Sequence, residues 1–170
     1  TFNHAFSNAP VCSVARSTLA TGVLAPRGGF QYHRKSALAN LPKGLKPWTS
    51  YLRKAGYYCT NNKKTDYNFL VSMKEAWDQS STKASWRNRP DKKMPFFHMQ
   101  SFAQSHESSL HFPASLMKIE KTKTPMGQVK LHPYHPDTRT FRYTHARYFD
   151  RMTVVDELIA KVVANLKADD

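Results

Sequence analysis

The most informative part of this sequence reads Cys12-Ser13-Val14-Ala15-Arg16-Ser17-Thr18-Leu19-Ala20-Thr21-Gly22. Good helix formers extend to about Ala20, so we expect a short helix that is capped by Ser13 and ends at Gly22. Cys12 then lies at the first turn, where unpaired backbone N–H groups favour an anion, and Arg16 lies on the same face. This pairing predicts a site for attack on an oxyanion. It leaves a cysteine hydrolase, a phosphatase-like site and a structural cysteine open.

Further along the chain, a helix followed by a glycine and a strand indicates an α/β fold. Pro47 suits the first turn of this helix, Gly56 ends it, and residues 57–60 follow as a short buried strand. The helix is expected to bury one face made of Trp48, Tyr51, Leu52 and Ala55. Residues 96–102 have the strongest strand pattern, short and mostly apolar as in a strand covered on both faces. Because ligands bind past the carboxyl ends of strands in open α/β sheets, His106 is a candidate functional residue.

The other stretches are mostly irregular by composition, apart from one amphipathic helix near the end. From about Thr144 to Lys167, apolar residues recur at spacings of three and four, which predicts a helix with one apolar face. The remaining expectations are a strand end over residues 1–9, a long functional loop over 23–44, polar chain over 61–92 anchored by Trp77 and Trp86, and a surface loop over 108–143.

The 170 residues include 26 Lys and Arg against 12 Asp and Glu, which gives a formal net charge of +14. With 40% hydrophobic and 22% charged residues, the chain has enough apolar mass for one globular domain. No apolar run reaches the roughly 18 residues that a membrane-spanning helix needs. Cys12 and Cys59 could form one disulfide, but two cysteines are too few for a disulfide-built scaffold.

The positive charge is concentrated in the first third of the chain. Residues 1–65 hold ten basic residues and no acid, and the first carboxylate is that of Asp66. Nucleic acid is the default partner for such a surface, because neutralising phosphates releases counterions. An anionic small molecule or sulfated polysaccharide would be attracted by the same field. A piece of chain whose balancing acids lie elsewhere would show the same charge, so composition leaves all three open.

The stretch from Cys12 resembles the signature of sulfatases of the alkaline-phosphatase superfamily. That signature is Cys or Ser, any residue, Pro or Ala, any residue, then Arg, followed by a Ser-rich helix that ends in Thr-Gly. The residues that match are Cys12, Arg16, Ser17, Thr21 and Gly22, whereas Val14 stands where the family has Pro or Ala. The resemblance continues in order through Asn61-Asn62-Lys63-Lys64-Thr65-Asp66, Trp86-Arg87-Asn88-Arg89-Pro90, Pro95-Phe96-Phe97, Ser105-His106-Glu107, Tyr134-His135-Pro136-Asp137-Thr138 and the helix with Arg147, Tyr148 and Asp150.

The pattern is similar to that of bacterial polysaccharide sulfatases near the heparan N-sulfatase (sulfamidase) branch. This resemblance implies an α/β fold that is part of an alkaline-phosphatase-like sandwich, with a mixed central sheet flanked by helices. Residues 1–170 are then expected to be a partial sulfatase catalytic domain and an internal fragment. The N-terminal metal-binding strand and the C-terminal portion would lie outside it.

The implied activity is hydrolysis of a sulfate ester, or a sulfamate, on a sulfated carbohydrate. In this family a maturation enzyme oxidises the signature cysteine to formylglycine, and a hydroxyl of the hydrated aldehyde attacks the sulfur. One calcium ion, bound through oxygen ligands, lowers the pKa of that nucleophile and polarises the sulfate. The implied partners are a sulfated glycan or other sulfate ester and the maturation enzyme, with no nucleic acid and no membrane. The implied location is the periplasm or the outside of the cell.

Four residues form the predicted catalytic set. The resemblance makes Cys12 the formylglycine precursor and one calcium ligand, Arg16 the residue that steadies it, Lys64 a sulfate binder, and His106 a sulfate binder or the acid for the leaving group. Asp66 stands where many family members have His; it could be a substrate-binding or a structural carboxylate, and we leave it out of this set. Val14 stands in the part of the signature that the maturation enzyme recognises, and it is expected to impair that recognition.

The other calcium ligands of the family are expected outside this chain, and isolated residues 1–170 are expected to be inactive. His132 and His135 do not replace those ligands, because they form only a pair and calcium prefers oxygen. Arg27, Arg34 and Lys35 in the long loop could contact further sulfates or carboxylates on a glycan, but we expect them to be solvated loop cations. The alternatives are a phosphodiester or phosphonate hydrolase of the same superfamily, which usually has a Thr or Ser nucleophile, and a non-catalytic basic module that binds nucleic acid.

Overall fold

The computed structural model describes residues 4–34 and 36–169, which divide into two compact units, Thr1–Ser101 and Phe102–Asp170. The sequence had suggested one globular domain. The first unit contains helices α1 (Cys12–Thr21), α2 (Ala25–Gly28), α3 (Trp48–Lys54) and α4 (Met73–Ala76), strands β1 (Tyr58–Asn62), β2 (Gln79–Ser80) and β3 (Phe96–Gln100), and the 3-10 helix Trp86–Asn88. The second contains helices α5 (Leu116–Ile119) and α6 (Arg139–Ala168) and the 3-10 helices Glu107–Ser109 and Met126–Gln128.

A parallel three-stranded sheet in the order β2-β1-β3 organises the first unit. Tyr58 is paired with Phe96 in the register between β1 and β3, and Thr60 with Gln79 between β1 and β2. The α/β prediction is confirmed. The described strands are all parallel, so the mixed character expected of the sheet does not occur in this part of the chain.

The central strand β1 is more deeply buried than its neighbour β3. The first four residues of β1 are buried, because β1 has a strand on each side, whereas every residue of β3 is half-buried. The side chains of β3 point alternately to both faces of the sheet, so in the described residues each face of this strand is covered only in part, and the expected full cover on both faces is not found. The strand also ends at Gln100, two residues before the predicted end.

Helix α1 begins at Cys12, before the predicted cap Ser13, and ends as expected. Its N-cap is Val11, which has an extended backbone, so the prediction of Ser13 as the cap is wrong. At the other end Gly22 adopts a left-handed conformation with φ of 70° and donates its N–H to the carbonyl of Thr18 at 2.8 Å. A glycine reaches this conformation without steric cost, so the stop signal is confirmed.

Two small apolar cores support the first unit. One is formed by Val14 of α1 with Ala25 and Phe30, so the long loop predicted over residues 23–44 contributes a short helix and a fully buried aromatic ring to the core. The other joins Cys59, Ala76 and Trp77. Burial of Trp77 and Trp86 confirms the two predicted anchors of the polar stretch 61–92.

Helix α3 confirms the predicted position of a helix but not its buried face. It ends just before Gly56, which has φ of 89°, as the sequence suggested. The fully buried positions are Thr49 and Ser50, whereas Tyr51 is exposed. The small residues face inward because the Ser50 hydroxyl donates to the carbonyl of Glu75 at the end of α4, at 3.2 Å.

Helix α6 begins five residues before the predicted start. The Thr138 hydroxyl accepts the N–H of Phe141 at 3.3 Å and caps the helix, and the buried residues Tyr143, Ala146 and Arg147 all lie in its first third. The predicted apolar stripe is largely exposed further on, for example at Ile159. Residues 108–143 are mostly irregular, as expected, apart from α5, the short 3-10 helices and the start of α6.

The predicted strand end over residues 1–9 is not found. Residues 1–3 lie outside the described part, and residues 4–9 form no strand. The reason is that the described sheet provides no neighbouring strand for this segment. No helix in the described ranges combines the length and apolar character that a membrane span requires.

Candidate functional site

The two cysteines lie in different environments. Cys12 is the first residue of α1 and is half-buried, whereas Cys59 lies fully buried in β1. Both are in the described part of the chain, and no disulfide joins them. Burial, followed by the charge of Asp78, raises the pKa of the Cys59 thiol to about 11. Cys59 is therefore a neutral core residue, and Cys12 remains the candidate nucleophile.

Arg16 connects α1 to the segment that carries Lys64. Its Nε donates to the carbonyl of Thr65 at 2.9 Å, and its Nη2 donates to the carbonyl of Lys64. These contacts cross 48 and 49 positions of sequence. Arg16 was expected to steady residue 12, and its hydrogen bonds to the backbone of residues 64 and 65 hold this second segment against α1.

Asp66 lies between two cations. Arg34 reaches it through two parallel hydrogen bonds, Nε to Oδ1 at 3.1 Å and Nη2 to Oδ2 at 3.0 Å, and Lys64 Nζ is 3.6 Å from Oδ2. We call Arg34, Lys64 and Asp66 the Asp66 cluster. Arg34 is exposed, as expected of a solvated loop cation, but it is also ion-paired with Asp66. Lys35 lies outside the described residues, and Arg27 is exposed.

Ser13 brings the loop with Arg34 to the start of α1. Its hydroxyl oxygen accepts the N–H of Arg34 at 3.1 Å and is 2.8 Å from Nδ1 of His33. Ser13 is fully buried, so these bonds are shielded from water on the side of α1. The residue next to Cys12 thus fixes the backbone position of a cation that sequence reasoning did not assign to the site.

The electrostatics of the cluster follow from these contacts. The hydrogen bond from Arg34 holds the pKa of the Asp66 carboxyl below its usual range against the opposing effect of burial, and the charges of Arg34, Lys64 and His33 act in the same direction as the hydrogen bond. The pKa of Arg34 is raised, first by its hydrogen bond to Asp66, with a smaller contribution from Cys12.

The first unit brings together three of the four predicted site residues, Cys12, Arg16 and Lys64. The fourth, His106, belongs to the second unit. There it precedes the 3-10 helix Glu107–Ser109, and its ring Nδ1 is 2.9 Å from the hydroxyl of Ser108. Sequence reasoning missed Ser13 and the pairing of Arg34 with Asp66. A usable signal for the cluster was Asp66, which is the first acid after ten basic residues.

Arg16 also lines an apolar cavity of about 140 Å³. Its neighbours there include Trp48, Trp77, Phe97 and Met99. Recognition of sulfate requires cations and N–H donors. The aromatic lining offers few of these, so the Asp66 cluster is the better candidate for an anion site.

A calcium site is not assembled by the residues that the structure describes, among which no group of three or more His, Cys, Asp and Glu side chains is arranged to hold a metal ion. Asp66 is already paired with two cations, which makes it a poor ligand. His132 and His135 form a group of three histidines together with His145. Nε2 of His145 lies 3.1 Å from Nδ1 of His135, and the ring centroids of His132 and His145 are 5.8 Å apart. Imidazole nitrogen is nevertheless the wrong donor for calcium.

Comparison with known proteins finds that part of this α/β chain is similar to a sulfatase. The relative found is an ulvan-active sulfatase from Formosa agariphila, which is 40% identical over 125 residues. The match covers 68% of this chain and 21% of the relative, so the chain spans about a fifth of the relative's length. No model of a known protein family matches the chain.

Proposed function

We propose that this chain is part of a sulfatase that hydrolyses sulfate esters of a carbohydrate, with Cys12 as the precursor of a formylglycine nucleophile. The observation that carries the proposal is the position of Cys12 at the start of α1, in a unit where Arg16 of the same helix holds the segment of Lys64. The similarity to an ulvan-active sulfatase supports the same conclusion. Cys12 also argues against the phosphodiester alternative.

The proposed roles follow from charge. Formylglycine at position 12 would supply the nucleophile. In hydrolysis of a sulfate ester, negative charge increases on the sulfate oxygens, and nearby cations stabilise it. Lys64 suits this role better than Lys63, because Lys64 is half-buried beside Asp66 whereas Lys63 is exposed. We assign His106 to sulfate binding or to protonation of the leaving oxygen.

The calcium ion of the family is part of the proposal, but its remaining ligands are assigned to chain outside residues 1–170. When bound, calcium would supply Lewis-acid activation of the sulfate and of the nucleophile. The residues described here do not form such a site on their own, and we derive no step through it. We likewise propose that the two units are part of one alkaline-phosphatase-like catalytic domain, and that residues 1–170 alone are inactive.

The proposed substrate is a sulfated carbohydrate, and ulvan is the first to test because the relative is active on it. A sulfate ester is preferred to a sulfamate for the same reason. The proposed location is the periplasm or the outside of the cell. A nucleic-acid-binding module has no specific support from the site.

The test combines mass spectrometry with an assay of sulfate release. The complete protein, co-produced with a formylglycine-generating maturation enzyme, should carry an aldehyde at position 12 in the peptide that spans Val11 to Arg16. It should release sulfate from ulvan. Cys12→Ala should lower the rate by roughly a thousandfold or more, as expected for loss of a nucleophile.

Cys59→Ala is the matched control, because Cys59 is a buried thiol with a pKa of about 11. This variant should keep both the aldehyde at position 12 and the activity. An unmodified Cys12 thiol together with no release of sulfate would contradict the proposal.

A further inference from the structure

We infer that Asp66 is a positioning residue whose carboxylate holds Arg34 and Lys64 together beside Cys12, and that Arg34 is a further cation that binds the anionic group of the substrate. This inference rests on the proposed function, because it concerns the same site. It adds two residues, Asp66 and Arg34, to which the resemblance gave no catalytic or binding role.

The geometry of Arg34 and Asp66 supports a positioning role. Two parallel hydrogen bonds at 3.1 and 3.0 Å fix the plane of the guanidinium, whereas a single contact would leave it free to rotate. The Asp66 side chain is 17% exposed and that of Arg34 is 58% exposed. The carboxylate is thus the anchored partner, and the guanidinium is accessible to a ligand.

Three separate parts of the chain meet at this point. Ser13 fixes the backbone of Arg34, Arg16 fixes the backbone of Lys64, and Asp66 then joins the two cationic side chains. Both backbone anchors belong to α1, the helix that begins with Cys12. The side chains of Arg34 and Lys64 are therefore held relative to residue 12 by a rigid element.

Charge and position predict opposite effects for loss of the carboxylate. If Asp66 acted only through its charge, its replacement by a neutral residue would tighten binding of an anion, because a nearby negative charge repels sulfate. If Asp66 acts by orienting Arg34 and Lys64, the same replacement weakens binding. The sign of the change in affinity therefore separates the two roles.

A pair of similar geometry in the second unit provides the control. Arg142 donates to Asp137 through Nε at 2.5 Å and Nη2 at 2.7 Å, again with two parallel hydrogen bonds. Neither residue has a proposed role in the site. Asp137→Asn thus removes the same kind of exposed ion pair without touching the Asp66 cluster.

The experiment measures the dissociation constant of inorganic sulfate for the complete protein by calorimetry, at constant ionic strength. It uses the Cys12→Ala background, so that the state of residue 12 is uniform. Asp66→Asn should weaken binding by about threefold to tenfold and Arg34→Gln by about tenfold, and Asp66→Glu should recover part of the loss. Asp137→Asn should change the constant by less than about twofold.

Unchanged or tighter binding in Asp66→Asn, or no measurable binding of sulfate to the parent protein, would overturn the inference. Failure of the proposed function is recognised separately, as a lack of aldehyde and of sulfate release in the protein that retains Cys12. In the active protein, Asp66→Asn should raise KM for ulvan more than it lowers kcat. A role confined to stability would leave both the KM of the folded fraction and its affinity for sulfate unchanged.

Discussion

Ser13 has a single hydroxyl that contacts two residues 20 and 21 positions away, His33 and Arg34. A helix-capping serine would satisfy a nearby N–H of its own helix. This one instead accepts the N–H of Arg34 from a distant loop, in a fully buried position. A serine in this local sequence can cap its own helix or accept an N–H from a distant loop, so the local pattern alone could not assign the role of Ser13.

Ser13→Ala should lower the free energy of unfolding by about 1–3 kcal/mol, because the part-buried N–H of Arg34 loses its acceptor. Urea unfolding measures the change. Ser7→Ala, at an exposed serine that bonds only locally to Ala9, should change the stability by less than about 0.5 kcal/mol. Equal effects of the two substitutions would show that the hydroxyl of Ser13 does not fix the loop.

At the scale of elements, sequence periodicity located the helices and strands better than it located their buried faces. Helix α1 and the carboxyl ends of α1 and α3 follow from local signals, since Gly22 and Gly56 adopt positive φ at the stops. The start of α6 was predicted five residues too late, because the residues before Thr144 include Arg139 and Arg142 and were read as part of a surface loop. Burial there depends on tertiary contacts that no spacing shows.

Helix α2 gives a test of close packing within an element. A Cβ added to Gly28 would lie 1.9 Å from Cε1 of Phe30, whose ring is fully buried and has little room to move. Gly28→Ala should therefore destabilise the protein by about 1–3 kcal/mol in thermal or urea unfolding. Gly127→Ala is the control, because nothing lies within 4 Å of its added Cβ. A neutral Gly28→Ala would show that Phe30 is loosely packed.

At the scale of the molecule, the positive charge belongs almost entirely to the unit with the candidate site. Thr1–Ser101 contains 16 basic and 4 acidic residues, whereas Phe102–Asp170 contains 10 and 8. The concentration of basic residues in the first third of the sequence is thus a property of one structural unit. Such a field attracts anions to the first unit, which contains the Asp66 cluster.

The pH dependence of stability should show two stages. Burial lowers the pKa of His98, so the unfolded state binds more protons than the folded state below about pH 6.5, and stability falls as the pH decreases from there. For Asp150, hydrogen bonds from Thr124 and Lys123 outweigh burial and lower the pKa, as the bond from Arg34 does for Asp66. Their stabilisation is present above about pH 4 and is lost as the pH falls through the lowered pKa values.

Thermal unfolding between pH 8 and pH 3 measures both stages. His98→Asn should reduce the decrease near pH 6 and leave the acidic stage in place, because Asn cannot be protonated in this range. A profile of His98→Asn that is parallel to that of the parent protein over the whole range would show that His98 titrates alike in the folded and unfolded states.

The sequence by itself determined the features that depend on neighbouring residues. These are the helix that begins beside Cys12, the glycine stops, the α/β order of elements and the concentration of cations. The tertiary structure decided which cations meet, because Arg34 and Asp66 are 32 positions apart and Arg16 and Lys64 are 48 apart. Contacts over such separations require long loops to close against a folded sheet and helix, and loop closure lowers the entropy of the chain. The packing of the whole unit offsets this loss. Such contacts therefore leave no pattern in the local sequence.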